Sequence, residues 1–574
     1  MKSKFVLLFG ALPALLALLL PPAPASAQPL SFDRVLACGN GDGNHNWGPT
    51  AQAFDAQGNQ YVVGTFNGTI QLGNTLLTAV QTPANYIRPF DTFLAKLDGA
   101  GQYVWAIQFG DNQASFVNDL AVDGAGHLYV AGSFESFGLR LGGSTPVVYN
   151  SSAFSEAFVA QFNAATGQLQ WARRAGGTLQ DYCTKVVLNA TGDIYIVCSS
   201  RSATVDFGTT FLPNQRTDSF GTSFLAKLNS AGAWQWARPV GDGATNVSNV
   251  VLDASGNLYL VGSFRDTATF GLVTLTSQVI TGTPWPWGSD VFVTKTTDTG
   301  AWLWAVQGDA MSHQNFIGGS TMVLDNAGHL YLAGGYASTT ARFGPTVLPN
   351  LSSRVPQGNP QGPVYPNYYY SDAFVARMNA GTGAWEWAAR NGGPGNDGAG
   401  NPIIDAQGRF YVSGQWSGTG SWGQLGRIDP ATGTWLSSQP LPAPGFIALD
   451  RQNRLNMAGS IGVTPTTFGT ITLQPAGPTQ GTGYLARLGA APLAARSASG
   501  TAASLQVWPN PAGGGALWVQ GPDAGQPVRV LDLLGRLVAQ GRMPAAGPLA
   551  LSLALPAGVY VVQAEGQARR LVIE

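Results

Sequence analysis

One phrase returns seven times along this chain and constrains its fold more than any other feature. An Asp or Asn opens a short turn containing Gly, and an apolar run around Tyr follows, clearest in DGAGHLYVAGSF (Asp123 to Phe134) and DASGNLYLVGSF (Asp253 to Phe264). The seven starts are Asp55, Asp123, Asn189, Asp253, Asp325, Asp405 and Asp450, the last worn to DRQNRLNMAGS. A second phrase follows each start, beginning at Phe93, Phe158, Phe224, Phe292, Phe374, Gly426 and Tyr484. A tight turn and a Trp-Ala pair come next, at Trp105, Trp171, Trp236, Trp304 and Trp387, each leading into a Gly-rich stretch. A unit this small cannot bury an apolar face alone, so the copies must stack on one another.

Each unit supplies four short β runs: the residues before the Asp, the Tyr run, the Phe run and the Trp run. In Leu-Tyr-Val or Phe-Leu-Ala-Lys successive side chains point to opposite faces, as strands packed on both sides require. With 75 Gly and 36 Pro beside 16 Trp, 27 Phe and 17 Tyr, the composition is that of an all-β protein with many turns. The expected fold is an all-β, seven-bladed β-propeller over residues 28–489. The seventh unit lacks its fourth strand, and Leu36-Ala37 through Gly43 aligns with Trp236-Ala237 through Gly243, so an N-terminal strand is expected to close the ring and remove its free edges. Residues 32 to 489 resemble the bacterial SBBP-type β-propeller repeats of secreted and surface proteins. That resemblance implies a fold and no single activity.

The ends read as addresses. Lys2 and Lys4, an apolar run from Phe5 to Leu20 and the small residues Ala25-Ser26-Ala27 have the pattern of a secretory signal peptide (1–27), cut after Ala27. No later segment is long and apolar enough for a membrane helix. An Ala- and Ser-rich linker (490–504) precedes a distinct unit, 505–574, expected to be a small Ig-like β-sandwich. It carries Pro509-Asn510-Pro511, then Asp532 with Gly535, then Gly558 with Tyr560. In this order the motifs resemble the type A C-terminal sorting domain of type IX secretion, used by the Bacteroidota. The resemblance implies export through that machinery, with the mature protein released or held at the cell surface.

Charged residues are 11% of the chain and the net charge is -1, with no long block of either sign, which argues against nucleic acid as a partner. Cys183 and Cys198 flank one expected hairpin turn, as a cross-strand disulfide or as two buried thiols; Cys38 has no evident partner. The repeated Asp is expected to accept hydrogen bonds from the backbone of its own turn, without metal. His127 and His329 stand where other copies carry Asn, and with His45 and His313 they form no zinc-binding pattern. No nucleophile elbow or phosphate loop is present, no catalytic residue is assigned and no cofactor is implied.

Variable sequence gathers in two sets of connections expected on one face. Those leaving the fourth strands would place Asp42, His45, Asp111, Asp181, Asp242, Asp309, His313 and Asp397 around one mouth of the channel. Those between the second and third strands add Tyr86, Trp285, Trp287, Tyr365, Tyr368, Tyr369 and Tyr370. Aromatic rings beside carboxylates and amides suit sugars, whose apolar faces stack on rings and whose hydroxyls need polar partners. The leading expectation is an exported binding or adhesion protein that recognises a polysaccharide or a surface protein. Two alternatives stay open: a lyase or glycosidase working with paired carboxylates from the same mouth, and a structural surface protein without a small ligand.

Overall fold

The computed structural model describes residues 31–38, 40–41, 48–80, 91–110, 115–135, 138–143, 148–149, 154–214, 221–277, 289–312, 321–352, 370–416, 423–477 and 481–489, and, near the C-terminus, 506–508, 516–520, 527–532, 536–544, 548–552, 555–564 and 567–573. Among these there is no helix. The chain divides into two compact units, Met1–Ala490 and Ala491–Glu574.

Unit one repeats a four-stranded antiparallel pattern in which each strand pairs with the next. The first sheet runs Pro49–Phe54, Gln60–Phe66, Asp91–Leu97, Tyr103–Gly110. The second runs Ser115–Val122, His127–Phe134, Glu156–Asn163, Leu169–Ala175, and the third Asp181–Leu188, Ile194–Ser200, Thr222–Leu228, Trp234–Pro239. The fourth is Asp242–Leu252, Leu258–Phe270, Ser289–Thr296, Trp302–Ser312, and the fifth Thr321–Leu324, His329–Tyr336, Asp372–Asn379, Trp385–Asn391. The sixth is Gly398–Ile404, Phe410–Gln415, Gln424–Ile428, Trp435–Pro440. In the last, Gly445–Leu449, Leu455–Ile461 and Thr482–Leu488 are completed by Phe32–Ala37 from the other end of the chain.

The first strands pack in a cycle, each against the next, with Gly445–Leu449 returning to Pro49–Phe54. Period-two alternation explains how one sheet serves two neighbours. Tyr61 and Val63 enter the core shared with the second sheet, whereas Val62 enters the core shared with the last, beside Ala458 and Leu485. The arrangement is β-propeller-like.

The repeated phrases form one end of these sheets. Asp253 Oδ1 accepts from the Ser255 and Asn257 amides, both at 2.9 Å, while Oδ2 accepts from Asn257 Nδ2 (2.8 Å) and the Tyr259 hydroxyl (3.0 Å). Asp55 makes the same four bonds, and in Asp123 and Asp325 the ring Nδ1 of His127 or His329 replaces the Asn amide. The turn residue lies at positive φ, 82° in Gly256, and in the worn seventh copy Asn453 takes that place at 63°. Three fourth-strand Trp residues reach the turn between the third and fourth strands of the following sheet: Trp105 Nε1 donates to Ala164 O at 3.3 Å, Trp171 Nε1 to Ser230 O at 3.1 Å and Trp387 Nε1 to Pro430 O at 3.2 Å.

The closing strand departs from the sequence alignment by two residues. Ala37 lies opposite Tyr484 as Pro239 lies opposite Phe224, and Asn40 opposite Gln71 as Asp242 lies opposite Thr269. Arg34 therefore occupies the Trp position, opposite Arg487. A two-residue slip keeps every side chain on its face, so the hydrophobic pattern is the same in both registers.

Unit two holds two antiparallel sheets, one of Gln506–Trp508, Ala516–Gln520 and Leu549–Ser552, the other of Leu537–Arg542, Pro527–Leu531, Gly558–Ala564 and Gln567–Ile573. Leu517, Val519, Val528, Val530, Val562 and Leu571 share one apolar core between them.

Candidate functional site

At the end of the sheets away from the Asp turns, most units insert a β-hairpin between the second and third strands. Its strands are Thr69–Leu72 with Thr75–Thr78, Gly138–Leu141 with Val148–Tyr149, Thr204–Phe207 with Thr210–Pro213, Thr340–Phe343 with Thr346–Pro349, and Thr466–Phe468 with Ile471–Leu473. In the fourth unit the second strand runs on and pairs with Val273–Thr276.

Four of these hairpins reach across to the preceding unit, Arg140 pairing with Gly110, Asp206 with Gly176, Arg342 with Asp309 and Gln71 with Asn40, while in the fourth unit Thr269 pairs with Asp242 at the start of its own first strand. Apolar residues before the hairpin Gly pack each hairpin onto the fourth strand of its own sheet: Phe207 on Trp234 (ring centroids 5.3 Å apart), Phe270 on Trp302 (5.3 Å), Phe343 on Trp385 (5.1 Å) and Phe468 on Phe32 (5.4 Å). This Leu/Phe-Gly motif, at Leu72, Leu141, Phe207, Phe270, Phe343 and Phe468, is a third repeated phrase that the sequence reading passed over as variable.

The connections leaving the fourth strands are thus partly covered, which changes the place of several expected face residues. Asp181 is buried, its Oδ2 accepting from the Gly177 amide (2.6 Å) and the Ser202 hydroxyl (3.0 Å). Burial pushes its pKa up to about 6, against hydrogen bonds from Ser200, Gly177 and Ser202 that pull it down, with Glu156 adding repulsion. Asp397 is also buried and accepts from the Gly393 amide at 2.6 Å. Neither stands on an exposed mouth, because each folds back on its own Gly-Gly turn at a seam between sheets. Asp242 is exposed, and Asp309 is half-buried, accepting from Gln307 Nε2 at 2.9 Å with Arg342 Nε 3.9 Å away. Tyr370 is half-buried, its carbonyl accepting from Asn350 Nδ2 at 3.0 Å. Asp42, His45, Asp111, His313, Tyr86, Trp285, Trp287, Tyr365, Tyr368 and Tyr369 lie outside the described residues. Among the described residues no three His, Cys, Asp or Glu side chains gather to hold a metal ion.

The hairpins also display apolar residues that sequence reasoning missed: Leu76, Phe211, Leu272 and Val347 are exposed. Leu76, Phe211 and Val347 share one position, three residues past the hairpin Gly, so alignment of the overlooked motif would have found them.

Cys183 and Cys198 lie directly opposite on the first two strands of the third sheet and form a disulfide, and Cys38 is buried as a free thiol. In unit two Asp532 accepts from the Arg536 amide at 2.9 Å and from its Nε at 2.6 Å, and the Tyr560 hydroxyl donates to Pro556 O at 2.9 Å. Gly558 opens a strand; Pro509, Asn510, Pro511 and Gly535 lie outside the described residues.

No family model and no curated protein matches the chain. Among solved structures it is similar to quinohemoprotein alcohol dehydrogenase from Comamonas testosteroni at 11% identity, over 83% of this chain and 78% of that one, with a TM-score of 0.35. It is similar to a PL25 ulvan lyase at 10% identity, over 74% of this chain and 93% of that one, with a TM-score of 0.39. A third likeness is to virginiamycin B lyase from Staphylococcus aureus at 9% identity, over 79% and 98% of the two chains, with a TM-score of 0.37. At these values the likenesses say nothing about activity.

Proposed function

We propose that unit one is a seven-bladed β-propeller of the SBBP type whose hairpin end binds a polysaccharide or a surface protein outside the cell. The carrying observation is the asymmetry between the two ends. Short hydrogen-bonded turns make one, while the other carries hairpins with exposed Leu76, Phe211, Leu272 and Val347 and the exposed carboxylate of Asp242. Exposed apolar residues at matching places on three of the hairpins, Leu76, Phe211 and Val347, are the kind of surface that partners cover. Support for seven blades comes from the seven stacked sheets and the closing N-terminal strand.

Unit two is read as an Ig-like sorting domain that engages the type IX secretion machinery, and residues 1–27 as the signal peptide that precedes export. The reading rests on the order of its motifs and agrees with its two-sheet core. The mature protein is then secreted or attached to the outer surface.

Two experiments test this. Thermal unfolding of the mature chain across a polysaccharide panel should show one ligand that raises stability by about 2.7 kcal/mol at a hundredfold excess over its Kd. Loss of that shift in a Phe211→Ser/Val347→Ser double variant would place binding on the hairpins; a flat panel would turn the search to protein partners. Fusing residues 490–574 to an exported reporter in a host with type IX secretion should move it to the surface or medium, and periplasmic retention would refute the sorting role.

A further inference from the structure

One seam of unit one differs from the rest in what its two sides present. Between the first and second sheets, Tyr61 on a second strand and Trp105 on a fourth pack against Leu120 and Leu128 of the following sheet. The cores of three further seams repeat this pattern of Tyr and Trp against two apolar residues.

Between the last sheet and the first, all four places are polar. Asn456 and Arg34 lie opposite Arg487 as Tyr61 and Trp105 lie opposite Lys96, so they hold the Tyr and Trp places. On the first sheet Gln52 lies opposite Val62 as Leu120 lies opposite Val130, and Gln60 opposite Leu97 as Leu128 lies opposite Phe162.

Three of these side chains form a chain of hydrogen bonds from the closing strand into the first sheet. Arg34 Nη2 donates to Gln60 Oε1 at 2.9 Å, and Gln60 Nε2 donates to Gln52 Oε1 at 2.8 Å. Gln60 is 1% exposed, so its amide has no recourse to water. On the same pair of strands Arg487 Nε donates to Asp33 Oδ1 at 2.6 Å. This is not the most stable filling, because Arg34 Nε, Gln52 Nε2 and Asn456 Oδ1 are buried without a hydrogen bond. A buried polar group that costs stability can still select one arrangement over another.

The arrangement it works against is the slipped pairing. Sliding the closing strand by two residues keeps every side chain on its face, and puts Leu36 where Arg34 stands and Val35 where Asp33 stands. Leu36 cannot donate, so Gln60 Oε1 would be buried without its donor, and Arg487 would lose Asp33. Apolar residues at 52 and 60, such as the other seams carry, would favour Leu36 over Arg34. We propose that Gln52 and Gln60 fix the register of the closing strand by accepting Arg34 and refusing Leu36. They are positioning residues for the strap that joins the two ends of unit one, whatever the hairpin end binds.

The test traps the register with engineered disulfides in the mature chain, on a Cys38→Ala background. Val35→Cys/Ala486→Cys joins residues that lie directly opposite, and Ala37→Cys/Ala486→Cys joins those that the slip would bring opposite. With Gln52 and Gln60 in place, peptide mapping after oxidation should find the 35–486 bond severalfold more often than the 37–486 bond. In Gln52→Val/Gln60→Leu the 37–486 bond should rise severalfold while the urea midpoint holds or increases. If that variant does not fold, Arg34→Leu/Leu36→Arg, which moves the guanidinium two residues along, should shift the bond from 35–486 to 37–486. An unchanged 35–486 bond in these backgrounds overturns the proposal and assigns the register to the pairing of Asn40 and Gly41 with Gln71 and Ile70.

Discussion

Asp253 and Asp181 do opposite things at opposite ends of unit one. At the turn end, burial pushes Asp253 up, but hydrogen bonds from Asn257, Tyr259 and Ser255 outweigh it and hold its pKa below the ordinary value. At the hairpin end, burial wins and Asp181 sits at about 6. A turn Asp is served by donors within its own repeat, from residues two, four and six places on. Asp181 depends in part on Ser200 and Ser202, which enter from the next strand and the approach to a hairpin. Local donors let an acid stay charged at low cost, whereas a seam assembled from distant pieces desolvates the acid faster than it supplies partners.

If the hairpins join neighbouring sheets, the largest loss should follow Phe343→Ala. Phe343 is fully buried in the core that the fourth and fifth sheets share, with Val291, Val293 and Phe374, and its truncation should cost about 3–5 kcal/mol in urea unfolding. A loss below about 1 kcal/mol would mean that the hairpins are ornaments on the sheets.

The contrast between the acids is sharpened by pH. A raised folded pKa favours the neutral acid, so the Asp181 contribution is most favourable below about 4 and is lost as pH rises through about 6. The change is at most about 3 kcal/mol, from roughly two pKa units. Asp123, Asp253 and Asp325, held low, act in the other direction and lose their contribution as pH falls below about 4. Stability followed from pH 4.5 to 7 should therefore fall less steeply in Asp181→Asn than in the wild type; identical slopes would remove Asp181 as the source.

Smaller effects belong to the turn end. Asp253→Ala strips four hydrogen bonds from a partly solvated turn and should cost about 2 kcal/mol, read from the urea midpoint. Gly256→Ala, at φ 82° and with only an ordinary contact to the Asp298 Cβ (3.7 Å) for the new methyl, should cost about 1 kcal/mol from backbone conformation alone. A much larger loss in Gly256→Ala would show that the turn contacts something beyond its own repeat.

The turn end was legible in the sequence because its chemistry is local: Asp, Gly and Tyr recur at fixed offsets, and the bonds they make span the same offsets. The hairpin motif was equally repetitive, yet insertions of unequal length around it made the segment look merely variable. The closing strand was legible as a strand, but its register was not, since a shift of two residues leaves the inward and outward faces unchanged. For the candidate face, Asp242 is exposed, while Asp181 and Asp397 are buried. Loop composition alone does not distinguish a carboxylate facing solvent from one folded onto its own Gly amide.

By itself, then, the sequence determined the repeat number, the order of strands within each repeat and the turn chemistry, all of which depend on residues a few places apart. Only the tertiary structure decided which neighbour completes each seam. Asp206 reaching Arg174, Trp105 reaching Ala164 and Phe32 reaching Phe468 are meetings between repeats or between chain ends. Such contacts depend on how stacked sheets bring distant residues together, and no short-range pattern encodes them.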